Sequence, residues 1–166
     1  VLAESAGFAK KVIVVDCDNT LWRGVVGEDG VGGIAMAASD PAGRPFHKFQ
    51  KQLGELRNAG VLLAISSKNE CSDVHAVFES RPEMALSRAD FVAERIDWND
   101  KAANIESIAK ELGLGLDSFV FLDDNPAEVA EVCARLDRRA GELLVQPVVH
   151  ATDRRGVAAH QSHDGR

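Results

Sequence analysis

The chain has few cysteines, a shortage of basic residues and no long apolar run. Cys17, Cys71 and Cys133 are the only cysteines in 166 residues. They are odd in number and far apart, which excludes a disulfide framework and fits reduced thiols in a cytoplasmic protein. Nineteen Lys and Arg stand against 26 Asp and Glu, a formal net charge of −7. Such a balance argues against nucleic acid or an anionic membrane as a main partner. No stretch approaches the ~18 apolar residues of a membrane span. The opening before Lys10 and Lys11 is short and mixed, so no secretory leader is expected.

What is present begins at Val12. The run Val12-Ile13-Val14-Val15 is apolar and β-branched, the signature of a buried strand. It ends in Asp16 and Asp18, one residue apart. With a period of two, both carboxylates project to one side if the strand continues. Two close carboxylates repel unless a proton or cation sits between them. Mg²⁺ suits such oxygen ligands.

Further along, strands and helices alternate. Trp22 to Ile34 holds five glycines, and Glu28-Asp29-Gly30 is a hairpin signal, so a short β-flap is expected there. Phe46, Phe49, Leu53 and Leu56 recur at helical steps up to the stop at Gly60. Val61–Ser67 is an apolar strand ending in Ser66-Ser67, followed by a helix over 69–78 with Asn69 as its cap. Pro82 to Leu86 suggests a short helix, and Phe91-Val92-Ala93 a third strand. Asn99 or Asp100 caps a helix whose apolar face is Ala102, Ile105, Ile108, Ala109 and Leu112. Ser118 to Leu122 is a fourth strand ahead of Asp123-Asp124. Asn125-Pro126 opens the next helix, and Leu143-Leu144-Val145 suggests a fifth strand. The expected division is one catalytic domain over 1–147 and a flexible, polar tail over 148–166.

This alternation implies a parallel sheet covered on both faces, with ligands at the carboxyl ends of its strands. Asp16, Ser67 and Asp123 all fall at such ends. About thirty residues separate the flap from the second strand, and a helix uses much of them. A large cap domain has no room.

Asp-x-Asp-x-Thr after an apolar strand resembles the first motif of the haloacid dehalogenase (HAD) superfamily. The serine-ended strand, Lys101 opening a helix, and the strand ending in Asp123-Asp124 resemble its other three, in order. The resemblance implies an α/β, three-layer Rossmannoid fold with a central parallel sheet, a β-flap and a minimal cap. It implies Asp16 as nucleophile, forming an aspartyl-phosphate, and Asp18 as general acid and base. Lys101 neutralises charge on the transferring phosphoryl group. Mg²⁺ is held by Asp16, Asp123 or Asp124, and the backbone carbonyl of Asp18. Ser67, or Ser66 if the strand ends a residue earlier, binds a phosphoryl oxygen. Thr20 belongs to the first motif, and Lys68 and Asn69 stand where substrate oxygens would be contacted.

The longer wording is similar to the FkbH-like branch of polyketide biosynthesis. It is carried by Asp16-Cys17-Asp18-Asn19-Thr20-Leu21-Trp22, Gly24 to Gly30, Ser67-Lys68-Asn69, Trp98-x-x-Lys101 and Phe121 to Pro126. That likeness implies transfer of a glyceryl unit from 1,3-bisphosphoglycerate to the phosphopantetheine thiol of an acyl carrier protein, with loss of both phosphates. Cys17 is then a candidate acyl carrier. Strand alternation points it away from Asp16 and Asp18, and neighbouring carboxylates raise a thiol's pKa. Otherwise it is a small core residue. Val129 stands where the branch has an arginine. An acidic carrier meets an acidic chain, so docking calls for a local basic patch, with Arg23, Arg135, Arg138 and Arg139 as candidates. Trp22 and Trp98 are expected to pack. The alternatives are a simple Mg²⁺-dependent phosphatase acting on a phosphoprotein or small phosphate ester, and an inactive interaction module.

Overall fold

The computed structural model describes residues 10–140, 144–148 and 150, with 137–140 and 144–147 described by backbone alone. Five strands form one parallel sheet: β1 (Val12–Val15), β2 (Leu62–Ser67), β3 (Phe91–Ile96), β4 (Phe119–Asp123) and β5 (Leu144–Pro147). Their order is β3-β2-β1-β4-β5. The chain therefore starts in the middle, winds outward to β3, then crosses to the other side through β4.

Alternation along the strands makes two cores. Ile13, Val15, Leu63, Ile65, Val120 and Leu122 face one side, packed with Val26, Leu53, Val74 and Val77. Those partners lie on α1 (Val26–Gly33), α2 (Arg44–Asn58) and α3 (Cys71–Ser80). Val12, Val14, Ala64, Phe119 and Phe121 face the other side, against Ala102, Ile105, Ile108, Val132 and Leu136. Those belong to α4 (Lys101–Leu112) and α5 (Pro126–Ala140). The result is the expected three-layer arrangement, with strands that are apolar on both faces because both are covered. No helix among the described residues is long and apolar enough to cross a membrane.

The helix signals act where the sequence places them. Asp100 accepts a hydrogen bond from Ala103 N at 3.0 Å, and Gly113 closes α4 in the left-handed region at φ 65°. Asn125 caps α5 through Ala127 N at 2.9 Å. Three local expectations are corrected. The hairpin at Glu28-Asp29-Gly30 is instead the helix α1, kinked at Gly30. Its flanks keep only an antiparallel bridge between Arg23 and Ala35. Asp29 reaches back to Val25 N at 2.8 Å, which stabilises a helical first turn that glycine density alone does not signal. Pro82 to Leu86 forms turns, not a helix. Asn69 does not cap α3; its amide is drawn into the site described below, and Glu70 takes the cap position.

At the boundary set at 147, Val148 still packs on the first core and its N–H bonds Asp123 O at 2.9 Å. His150 stacks on Phe46 with ring centroids 3.9 Å apart, and its Nε2 lies 3.0 Å from Thr20 O. The rest of the expected tail, 151–166, lies outside the described residues.

Candidate active site

The register levels three strand ends. Val15 pairs with Ile65 of β2 and with Leu122 of β4, so Asp16, Ser66 and Asp123 come next at one height. Asp16 and Asp123 continue the rows of Val14 and Phe121 and face α4. Lys101, in the first turn of α4, reaches between them. Its Nζ donates to Asp16 Oδ1 at 2.9 Å and to Asp123 Oδ2 at 2.5 Å. All three are buried, at 6 %, 4 % and 0 % exposure for Asp16, Lys101 and Asp123.

Burial sets the electrostatics here. It pushes the Asp16 carboxyl up to about 7, against the pull of Lys101, with Asp123 adding to the rise. Burial by itself would favour a neutral Lys101, but Asp16 and Asp123 reverse that and hold its pKa above the usual range. Asp124 is half-buried; burial and the neighbouring Asp123 raise its carboxyl too. The carboxylate oxygens of Asp16, Asp123 and Asp124 lie within 4.8 Å of one another. This all-oxygen set, with the Asp16 and Asp124 carboxyls raised by burial and by Asp123, fits a hard divalent cation such as Mg²⁺.

Asp18 stands outside that cluster. After Cys17 the strand breaks: Asn19 adopts φ 52°, a left-handed conformation that asparagine tolerates, and its Oδ1 accepts from Gly24 N at 2.9 Å. Asp18 Oδ1 accepts from Trp22 Nε1 at 2.9 Å and from Val26 N at 3.0 Å. Its Oδ2 accepts from Asn69 Nδ2 at 3.0 Å. The carboxylate is thus aimed by three donors. Strand period does not place Asp18 as a side-chain metal ligand beside Asp16.

The same amide of Asn69 donates to Ser67 Oγ at 3.0 Å. Ser67 lines the cleft with Lys68 and Asn69. Ser66 does not: it is fully buried, and its Oγ has no hydrogen-bond partner among the described residues. Thr20 is buried and supports the site from behind, its Oγ1 3.5 Å from Asp124 Oδ1. Cys17 differs from an acyl carrier in its placement. It is fully buried in the first core, does not line the cleft, and burial together with Asp16 pushes its thiol well up.

Three contributors were not legible in the sequence. The Trp22 indole holds Asp18, and the N-terminus of α1 holds it with a backbone N–H; no local signal announces either. Glu128, in the first turn of α5, lines the cleft and pairs with Lys68 at 2.7 Å. Its place two residues after Pro126 was the available clue. Trp98, expected to pack, is 67 % exposed and donates to Glu70 Oε1 at 2.8 Å. Among the candidate docking arginines, Arg135 pairs with Asp100 at 2.5 Å, and the side chains of Arg138 and Arg139 lie outside the described residues. The cleft encloses about 360 Å³ and opens directly to solvent.

No protein-family model and no curated protein sequence matches the chain. Solved structures do. The N-terminal part of the protein BF1531 from Bacteroides fragilis, containing a phosphatase domain and complexed with Mg, superposes with a TM-score of 0.81. It is 38% identical over 87% of this chain, which spans 37% of that one. A HAD family enzyme, bt-2542 from Bacteroides thetaiotaomicron, matches with TM-scores of 0.55 as an Asp-to-Ala mutant and 0.52 as wild type. At 10% identity over 87% of this chain and 97% of that one, its likeness is one of fold. Both of its structures hold magnesium and inorganic phosphate. The fold is HAD-like. Both of these structural neighbours hold magnesium, and the acid cluster at the ends of β1 and β4 is compatible with the same ion.

Proposed function

We propose that this chain is a Mg²⁺-dependent phosphohydrolase that works through an aspartyl-phosphate on Asp16. The observation that carries the reading is the meeting of Asp16, Lys101, Asp123, Asp124 and Ser67 at one open cleft. Asp16 attacks phosphorus, and the leaving oxygen takes a proton from Asp18, which Trp22, Val26 and Asn69 hold beside the cleft. Asp18 then draws a proton from the water that releases phosphate. Lys101 and the Ser67 hydroxyl stabilise the phosphoryl oxygens. Asp16, Asp123 and Asp124 would hold the ion, which neutralises phosphate charge and orients it for attack. Phosphate release from p-nitrophenyl phosphate tests this: it should require Mg²⁺ and vanish in Asp16→Asn. Turnover surviving that substitution would overturn the reading.

The finer reading is that the substrate is a glyceryl phosphate destined for an acyl carrier protein. The FkbH-like wording supports it, and so does a cleft with no cap between α2 and β2 to exclude a protein-borne thiol. The acyl group leaves its phosphate for the phosphopantetheine thiol, and Asp16 removes the phosphate at carbon 3. The protein incubated with Mg²⁺, fresh 1,3-bisphosphoglycerate and a carrier should give a carrier heavier by one glyceryl unit. Phosphate release without carrier loading leaves the simple phosphatase. An adduct on the enzyme itself that Cys17→Ala removes would place the acyl group on Cys17.

A further inference from the structure

A second convergence of chemically capable side chains lies away from the cleft. Cys71 and His75 are four residues apart on α3 and therefore on one face. Opposite them stands Glu94, on the edge strand β3. Cys71 Sγ lies 3.4 Å from His75 Nε2, and that nitrogen lies 3.0 Å from Glu94 Oε1. One ligand atom from each falls within 4.8 Å of the others. The thiol is exposed, while His75 and Glu94 are half-buried.

The surroundings prepare these groups as ligands. Arg88 grips Glu94 from outside, Nη2 to Oε1 at 2.6 Å and Nε to Oε2 at 3.2 Å. An outer partner that orients a ligating carboxylate is a recurrent part of metal sites. Cys71 opens α3, so its side chain stands at the exposed end of the helix.

We propose that Cys71, His75 and Glu94 form a binding site for a borderline divalent cation of the Zn²⁺ type, separate from the carboxylate cluster. The donor chemistry sorts the two. Sulfur, imidazole nitrogen and one carboxylate oxygen match Zn²⁺ and are poor partners for Mg²⁺, whereas Asp16, Asp123 and Asp124 offer oxygen alone. Binding releases the Cys71 proton, takes the His75 nitrogen and Glu94 Oε1 from each other and displaces Arg88 Nη2 from Oε1, leaving Arg88 Nε on Oε2. Three protein ligands leave one tetrahedral position for water. The ion ties α3, which begins just after Lys68 and Asn69, to β3, which leads through Asp97 to Lys101.

The test uses the whole chain, reduced, stripped with chelator and kept in excess Mg²⁺ so that hard-ligand sites are filled. Co²⁺ and Zn²⁺ are then added. The expected result is one equivalent of Co²⁺ with a thiolate-to-metal charge-transfer band, displaced by Zn²⁺. Cys71→Ser should abolish the band, and Glu94→Gln should weaken binding at least ~10-fold. Cys133→Ser and Asp16→Asn should leave it intact. Circular dichroism of each metal-free variant confirms folding. A wild-type protein without the band, or a band that survives Cys71→Ser, overturns the proposal.

Discussion

Two clusters of ligand-type side chains occupy this molecule, and they differ above all in burial. Asp16, Lys101 and Asp123 sit on the floor of the cleft, shut from water on a sheet covered on both faces. Cys71, His75 and Glu94 sit at the edge of the same sheet, partly wet. On the floor each charge is compensated by another, and removing one leaves its partners stranded in a poor dielectric. At the edge, water shares the compensation, and the same kind of removal is tolerated. Identical physics thus yields a rigid, high-field site in one place and an exchangeable one in the other.

The sharpest way to separate the clusters is Asp16→Asn. Turnover of p-nitrophenyl phosphate should fall by a factor of about 10³ or more, as for loss of a nucleophile, with Co²⁺ binding at the edge unchanged by absorbance. Next comes stability. Lys101→Met strands two buried carboxylates and should cost about 3–5 kcal/mol in urea denaturation. Adding Asp123→Asn to it should recover part of the loss. Arg88→Met, at the exposed edge, should barely move the midpoint, and a loss equal to that of Lys101→Met would erase the contrast.

Gln50 gives a smaller effect of the same kind. It is fully buried in α2, donates to Leu21 O at 2.7 Å and accepts from Ala85 N at 2.8 Å, bracing the loop after Asp18. Gln50→Leu should cost about 1–3 kcal/mol, the penalty of unpaired buried groups, read by thermal or urea unfolding. The smallest effect concerns pH at Asp97, which leads from β3 towards Lys101. Burial pushes its carboxyl up, but Asn104 and the Asn99 N–H outweigh burial and hold it below its usual 3.8. A lowered folded pKa contributes stability that is complete above 3.8 and lost as pH falls through the lower folded value. The stability gap between wild type and Asp97→Asn should therefore be constant at neutral pH and close in strong acid.

Much of the floor was legible because its residues end regular elements. Asp16, Ser67 and Asp123 close strands, and Lys101 opens a capped helix, so strand period and capping place all four at one end of a parallel sheet. What escaped lies where regular structure stops. Asp18 obeys no strand period, because Asn19 turns the chain after Cys17. The flap became a helix because Asp29 supplies a side-chain acceptor for Val25 N, an interaction that a count of glycines does not contain. Ser66 and Ser67 look alike in one dimension; the end of β2 buries Ser66 and leaves Ser67 on the cleft.

The sequence by itself determined the alternation of the five strands with α2 to α5, the two-sided burial of the sheet and which strand ends carry charge. These follow from local periodicity and from caps within a few residues. Only the tertiary structure decided that Lys101 spans Asp16 and Asp123, that Trp22 and Asn69 aim Asp18, that Cys17 is sealed from the cleft, and that Cys71 and His75 meet Glu94. Each of these turns on distances between segments far apart in the chain or on the path of a loop. Such distances are set by how the layers pack, not by any local pattern.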